Sequence, residues 1–203
     1  MNLLIDDLPE TVNGIPIYTD YRNMVQFELL MQDEELSGLE KASLALNLLY
    51  REPVPDFQTA WDGLLWYHHK GMEPQEEKKC KQVNPPAVLY DFEQDAGYIY
   101  AAFWQVYRID LQAAALHWWT FRDLLFHLPD TCMMGKIMQI RGVDLSEMKG
   151  TEKKHYQKMK AIFAIRRKDA YANMTAAERQ QQLRERVLER YREAQKWLDE
   201  KNK

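Results

Sequence analysis

The sequence has little of what secreted and membrane proteins require. Its 203 residues include two cysteines, Cys80 and Cys132, which lie far apart and have no partner at C-x-x-C spacing. This spacing excludes a disulfide framework and a zinc ribbon, and it predicts free thiols in a reducing compartment. No apolar run approaches the roughly 18 residues of a membrane-spanning helix. Because the chain becomes acidic at Asp6, we also expect no secretory signal.

The signatures of common enzymes are missing as well. The chain has 8 glycines and no G-x-S-x-G elbow, Walker loop, G-x-G-x-x-G turn or H-E-x-x-H helix. Asp91, Glu93 and Asp95 alternate before an apolar run, but the glycine and the distal glutamate of a calcium loop do not follow them. We therefore predict that these acids complement the dipole of a helix.

The histidines are not spaced as a set of metal ligands. His68 and His69 are adjacent, so on a helix their side chains would point about 100° apart and could not share one ion. We expect them to cap a helix end or to lie at the surface. His117 and His127 flank a tryptophan-rich stretch without a complete ligand set. The sequence thus predicts no enzyme, no catalytic residue, no metal site and no cofactor.

The net charge of -4 conceals a gradient along the chain. Residues 1–60 carry a net charge of -8, residues 61–140 of -3 and residues 141–203 of +7. An acidic head and a basic tail permit electrostatic docking within or between subunits. The basic run at 166–168 could contact phosphates, but the basic residues after it alternate with glutamates and the pI is about 5.8. We therefore favour a solvated face over nucleic-acid binding.

Turn and capping signals divide the chain into a hairpin and a series of helices. Asn13-Gly14 between β-branched residues predicts a type I′ hairpin within residues 11–18. Ser37 and Glu40 match the S-x-x-E capping box. Caps, breakers and apolar periods together predict helices over about 20–32, 37–52, 56–71, 91–107, 116–128, 131–142, 151–168 and 175–203.

These elements predict a mainly α fold: a multi-helix globular bundle with a short N-terminal β-hairpin and a long amphipathic C-terminal helix. We assign the hairpin and the first helices to residues 1–70, and an exposed linker to the polar, proline-containing residues 71–87. Residues 88–170 form an aromatic-rich helical core, because each buried ring removes ~150–250 Å² from water. Residues 171–203 form the C-terminal amphipathic helix.

The C-terminal helix carries a narrow apolar stripe among charged residues. Its apolar side chains recur at helical steps but cover about two heptads, which is too short for an extended coiled coil. We predict that this helix docks on its own domain or on a partner. We expect rings of the central aromatic stretch that reach the surface to make contacts of the same kind. The candidate protein-contact residues are therefore Leu183, Val187, Tyr191 and Leu198 of the stripe, and Trp118 and Trp119 of the central stretch.

Two motifs in the central stretch carry a resemblance to a known family. D-x-x-x-I-Y-A-x-F occupies Asp95–Phe103, and L-H-W-W-x-F occupies Leu116–Phe121. Together with the N-terminal hairpin and Trp61, they make the first 165 or so residues resemble the bacteriophage "gene product fifteen" family of phages and prophages of Gram-positive bacteria. The family has no assigned enzymatic activity, and the resemblance carries over no functional residue.

The resemblance implies a role in phage tail assembly. Genes of this family typically lie in the tail module between the tail-tube and tape-measure genes, where long-tailed phages encode tail assembly chaperones. We therefore expect a non-catalytic chaperone in the host bacterial cytoplasm, a homo-oligomer with the tape measure protein as its partner and the tail tube protein as a second candidate. A structural virion component at the tail terminus or head–tail junction is the main alternative, and a nucleic-acid-binding regulator is a weaker one.

Overall fold

The computed structural model describes residues 4–33, 36–72, 88–146 and 148–166. Within these ranges a two-stranded hairpin precedes seven helices. The elements are β1 (Thr11–Val12), β2 (Ile15–Pro16), α1 (Tyr21–Gln32), α2 (Gly38–Leu49), α3 (Phe57–His68), α4 (Ala96–Tyr107), α5 (Trp118–Phe126), α6 (Met133–Gly142) and α7 (Gly150–Ile162). This confirms the mainly helical fold with an N-terminal hairpin. The predicted C-terminal helix lies outside the described residues, as does nearly all of the predicted linker.

The hairpin turns at the predicted Asn-Gly pair. Asn13 and Gly14 both have positive φ angles, 53° and 78°, as a type I′ turn requires. Val12 then pairs with Ile15 in antiparallel register. Asn13 also donates a 3.1 Å hydrogen bond from Nδ2 to the carbonyl of Thr59, so the turn is attached to α3.

The first three helices begin next to the positions 20, 37 and 56 at which the sequence predicts their starts, and each has a capping side chain there. The Asp20 side chain accepts from the amide of Arg22, and the Asp56 side chain accepts from that of Thr59 at 2.7 Å. Ser37 and Glu40 form both hydrogen bonds of the capping box. Each cap satisfies amide groups that the first turn of a helix leaves without a partner. The third helix ends at His68, slightly before the predicted end at Gly71.

Two of the later helix boundaries differ from the prediction. Asp91 does not cap α4: its Oδ1 accepts from the amides of Glu93 and Gln94 in a separate turn, and the helix begins at Ala96. The side chain of Asp95 forms no cap either, because it faces a distant arginine. α7 ends at Ile162 rather than at 168, and none of its residues is fully buried. The amphipathic pattern of the sequence therefore continues past Ile162, the last residue of the helix.

The two halves of the described chain pack around one core. The segment before α1 runs antiparallel to the start of α5: Trp118 donates to the carbonyl of Thr19, and Tyr21 donates to that of Leu116, both at 2.9 Å. Core residues from Val12 to Met138 form one connected cluster. Described residues before position 73 and after position 87 therefore contribute to one core.

Aromatic rings fill the centre of this core, as predicted. Phe121 of α5 stacks on Tyr21 of α1 and on Phe103 of α4, with ring centroids 4.3 and 5.1 Å apart. Such offset ring pairs add to the free energy gained by burial alone. α1, α4 and α5 are thus joined through one phenylalanine, which positions α4 at the side of the bundle.

Candidate interaction surface

One side of α4 is apolar and exposed. The 12 residues of this helix include no Asp, Glu, Lys or Arg. Ile99, Ala102 and Phe103 follow helical spacing into the core. The opposite side has four exposed residues at helical spacing: Gly97, Tyr100, Ala101 and Trp104. We call this side the α4 face.

Two large rings lie next to small residues on the α4 face. Trp104 is 50% exposed and Tyr100 is 38% exposed, and because they are four residues apart they are neighbours on the helix surface. Beside them the surface is open, since a Cβ built on Gly97 would meet nothing within 4 Å. Rings beside small residues, without a charge to desolvate, suit close packing against a second helix.

The C-terminal end of α4 is held by the loop that follows it. Arg108 adopts a left-handed conformation with φ of 58° and ends the helix. The Tyr100 hydroxyl then donates to Oδ1 of Asp110 at 3.2 Å, and the same oxygen accepts from the amide of Gln112. Tyr107 donates to the carbonyl of Leu124 at 2.9 Å. The α4 face is therefore presented by a helix whose end is fixed to α5.

A buried ion pair holds the N-terminal end of α4. Arg141 of α6 contacts both carboxylate oxygens of Asp95, at 2.5 and 3.0 Å, and the two side chains are 6% and 1% exposed. Asp95 also accepts from the amide of Asp91 at 2.9 Å. Buried charges require such paired and hydrogen-bonded geometry. The sequence did not reveal this pair, because its two members lie 46 residues apart.

The last described residues lie against the start of α4. Gln94 donates from Nε2 to the carbonyl of Ala164 at 3.1 Å, and its Oε1 accepts from the amide of Arg166 at 2.8 Å. Nε of Arg141 donates to the carbonyl of Phe163 at 2.8 Å. The chain after α7 is therefore attached to the residues immediately before the α4 face.

Trp118 and Trp119 are core residues, which corrects the expectation that their rings are available at the surface. They are 0% and 1% exposed. Trp118 donates from Nε1 to the carbonyl of His68 at 3.1 Å, and Trp119 donates to that of Tyr67 at 2.7 Å. Both indoles thereby satisfy carbonyls at the C-terminal end of α3, a role that a buried indole N–H commonly takes. The exposed rings of the central stretch that sequence reasoning missed include Tyr100 and Trp104, and also Tyr98 and Phe126.

A signal for Tyr100 and Trp104 was present in the sequence. Helical spacing divides α4 into two apolar sides, and a helix at the edge of a bundle can bury only one of them. The other side must then be exposed or covered by a partner. Neither side contains a charge, so the pattern alone could not identify which one faces the core.

The histidines mainly support helix ends. Nδ1 of His117 caps α5 by accepting from the amide of Trp119 at 3.1 Å, and burial lowers the pKa of His117. His69 caps α3, and burial lowers its pKa too. Nδ1 of His127 lies 2.8 Å from the carbonyl of Asp123 at the end of α5. His155 is exposed on α7.

His68 is more buried than predicted and belongs to a small polar cluster. Its Nε2 lies 3.0 Å from Oε1 of Glu28, and the Tyr90 hydroxyl donates to the same oxygen at 3.4 Å. Its ring stacks on Trp118 with centroids 5.6 Å apart. Burial, followed by the negative charge of Glu28, raises the pKa of Tyr90. The cluster joins α1, α3 and the chain before α4.

The remaining site predictions concern metal ligands and the C-terminal stripe. Across the part of the chain that the structure describes, no group of three or more His, Cys, Asp or Glu side chains could hold a metal ion. Four of the candidate contact residues lie outside the described residues: Leu183, Val187, Tyr191 and Leu198.

Within 4–33, 36–72, 88–146 and 148–166, each helix is too short or too polar to span a bilayer.

Comparison with known proteins gives one match. The comparisons with curated proteins and with solved structures gave no match. The model of the family described as "Bacteriophage Gp15 protein" matches residues 4–165. This range includes α4, the Asp95–Arg141 pair and both motifs quoted above. Because the match extends over most of the 203 residues, the chain belongs to the bacteriophage Gp15 protein family.

Proposed function

We propose that this protein is a non-catalytic tail assembly chaperone that binds helical segments of the tape measure protein while long phage tails assemble. It acts in the host bacterial cytoplasm, as a homo-oligomer, before the tail tube polymerises. The α4 face is its client-binding surface. The tail tube protein is a second candidate partner, which a chaperone would meet when the tube replaces it on the client.

The exposed, uncharged α4 face is the observation that supports this proposal most directly. A tape measure is a long, largely helical chain with periodic apolar positions, and an apolar helix face binds such a chain by helix packing. Trp and Tyr are the side chains that most often contribute strongly to binding at protein surfaces. Several copies bound along one client would combine many weak contacts, and the client would then be stably covered. Family membership supports the phage context.

Co-expression with the tape measure protein of the same phage tests the proposal. The full chain should keep the tape measure in the soluble fraction, and Trp104→Glu should abolish this effect because it places a charge in an apolar contact. Phe57→Glu is the matched control, since Phe57 is exposed to a similar degree, 46%, on α3. Equal rescue by Trp104→Glu and the unmodified protein would reject the α4 face as the client site.

Two further measurements separate the alternatives. Mass spectrometry of purified virions should not detect a chaperone, whereas a component of the tail terminus or head–tail junction would be present in every particle. A nucleic-acid-binding regulator would retain DNA in a salt-sensitive way. Detection of the protein in mature virions, or salt-sensitive DNA retention without any effect on the tape measure, would contradict the proposed function.

A further inference from the structure

We infer that the C-terminal segment of this chain binds the α4 face of the same molecule when no other protein is present. The occupant is residues 175–203, which contain the apolar stripe Leu183, Val187, Tyr191, Ala194 and Leu198. This inference goes beyond the proposed function, because it concerns the free protein and holds whether or not the client is a tape measure.

The described chain ends close to the start of α4. The hydrogen bonds of Gln94 to Ala164 and Arg166 hold the chain after α7 beside the residue that precedes Asp95 and α4. The Arg141–Phe163 hydrogen bond adds a second attachment at the same place. Whatever follows Arg166 therefore starts next to the α4 face, and its effective concentration there is high.

The C-terminal segment is long enough to reach and cover α4. A helix of 12 residues such as α4 is about 18 Å long. The residues between Arg166 and the capping box at Thr175 can extend over at most about 29 Å, so the segment can reach either end of α4. The stripe from Leu183 to Leu198 would cover about 23 Å as a helix, which is close to the length of the surface it would cover.

The α4 face and the C-terminal stripe are chemically complementary. The α4 face offers two rings beside Gly97 and Ala101, and no charge lies on the helix. The stripe offers aliphatic side chains and one ring, and its charged residues lie to either side of it. Packing the two together buries apolar surface on both, and α4 itself has no charged side chain to remove from water.

A consequence of this contact is that the two apolar surfaces of the chain cover one another until a binding partner arrives. Exposed apolar patches on a protein promote association with other molecules. A client must then displace the C-terminal segment, which makes binding selective for partners that pack on α4 better than the chain's own stripe does.

Photo-cross-linking in the full-length protein tests the inference without any client. Trp104 is replaced by the photoreactive residue p-benzoylphenylalanine, the protein is irradiated, and the cross-linked peptides are identified by mass spectrometry. The expected product joins position 104 to residues 183–198 within one chain. The same replacement at Phe57, which is also exposed but lies on α3, should not give this product.

Two substitutions in the C-terminal segment make the test specific. Val187→Glu places a charge in the stripe, so the yield of the cross-link should fall about tenfold. Lys196→Glu adds the same side chain on the opposite side of the predicted helix and should leave the yield nearly unchanged. Circular dichroism of both variants and of the unmodified protein distinguishes a loss of folding from a loss of the contact.

The possible outcomes are distinct. A mixture of unlabelled and ¹⁵N-labelled protein identifies cross-links between molecules, and a product that joins two copies would overturn the intramolecular contact in favour of a second copy. A lack of any cross-link between position 104 and residues 175–203, or an equal yield from position 57, would also overturn it. Because no tape measure is present, none of these results depends on the co-expression test of the proposed function.

Discussion

Arg141 on α6 and Asp95 at the start of α4 form a buried ion pair with two contacts, at 2.5 and 3.0 Å. The same guanidinium also donates to the carbonyls of Leu89 and Phe163, at 3.0 and 2.8 Å. One side chain thereby joins the chain before α4, α6 and the end of α7. The pair sets where α4 begins and so holds the α4 face in place.

Removing one member of this pair should destabilise the protein strongly. Arg141→Met leaves the carboxylate of Asp95 buried without its counter-ion, and such losses cost about 3–5 kcal/mol. Urea unfolding followed by circular dichroism measures the free energy of unfolding directly. The double variant Asp95→Leu with Arg141→Met should recover part of the loss, because the unpaired charge is then gone.

A lysine on the same helix provides the control for this prediction. Lys136 is exposed on α6, so Lys136→Ala should change the free energy of unfolding by no more than about 0.5 kcal/mol. If Arg141→Met were as mild as Lys136→Ala, the pair could not be what holds the start of α4.

Tryptophans on two neighbouring helices should differ sharply in their effect on stability. Trp119→Ala removes a fully buried ring together with its hydrogen bond to the Tyr67 carbonyl, so we expect a loss of about 3–5 kcal/mol. Trp104→Ala removes a half-exposed ring and should cost less than about 1 kcal/mol. Thermal unfolding of both variants checks the difference, and similar midpoints would contradict the assignment of Trp119 to the core and Trp104 to the surface.

The sequence alone predicted the structural features that depend on residues close together in the chain. Asn13-Gly14, the Ser37 capping box and the caps at Asp20 and Asp56 act within two to four positions, and the structure contains all of them. A cap or a tight turn needs only its own few residues, so its sequence signal is complete. The aromatic core was also predictable, because burial of large rings outweighs other contributions.

The candidate surface was less predictable because it depends on distant residues. Asp95 resembles a helix-capping acid in sequence, yet it is directed to Arg141 instead. Trp118 and Trp119 occupy a stretch with apolar residues on every side, and both indoles turn inward, where they contact rings and carbonyls of α3. Tyr100 and Trp104 also lie among apolar residues, yet their side chains face outward. Tertiary partners, rather than local spacing, separate these cases.

Two helical glycines should respond in opposite ways to alanine. A Cβ on Gly135 would lie 2.0 Å from the carbonyl oxygen of Pro129, so Gly135→Ala must displace the backbone before α6 and should cost about 1–3 kcal/mol. A Cβ on Gly97 would meet nothing within 4 Å, so Gly97→Ala should stabilise the protein by about 0.4–1 kcal/mol. Urea unfolding of the two variants measures both signs, and a gain from Gly135→Ala would contradict the close approach of α6 to Pro129.

His117 should make the stability depend on pH between about 7 and 5. Its Nδ1 accepts from the amide of Trp119, and Nε2 lies 3.1 Å from the carbonyl of Pro9, an atom that can only accept, so Nε2 carries the proton and the ring is neutral. Burial lowers the pKa of His117 below its ordinary value of 6.5. The unfolded chain therefore binds a proton before the folded chain does, and the stabilising contribution is complete above 6.5 and declines as the pH falls below it.

His117→Asn isolates this contribution. Asparagine caps helices well and does not titrate, so the variant should keep α5 while the free energy of unfolding falls less between pH 7 and pH 5. The difference in slope is limited to about 1.4 kcal/mol per pH unit for one group. His69, whose pKa burial also lowers, is present in both proteins and cancels from the comparison. Urea unfolding at several pH values provides the two slopes, and equal slopes would show that the imidazole of His117 is protonated as easily in the folded chain as in the unfolded one.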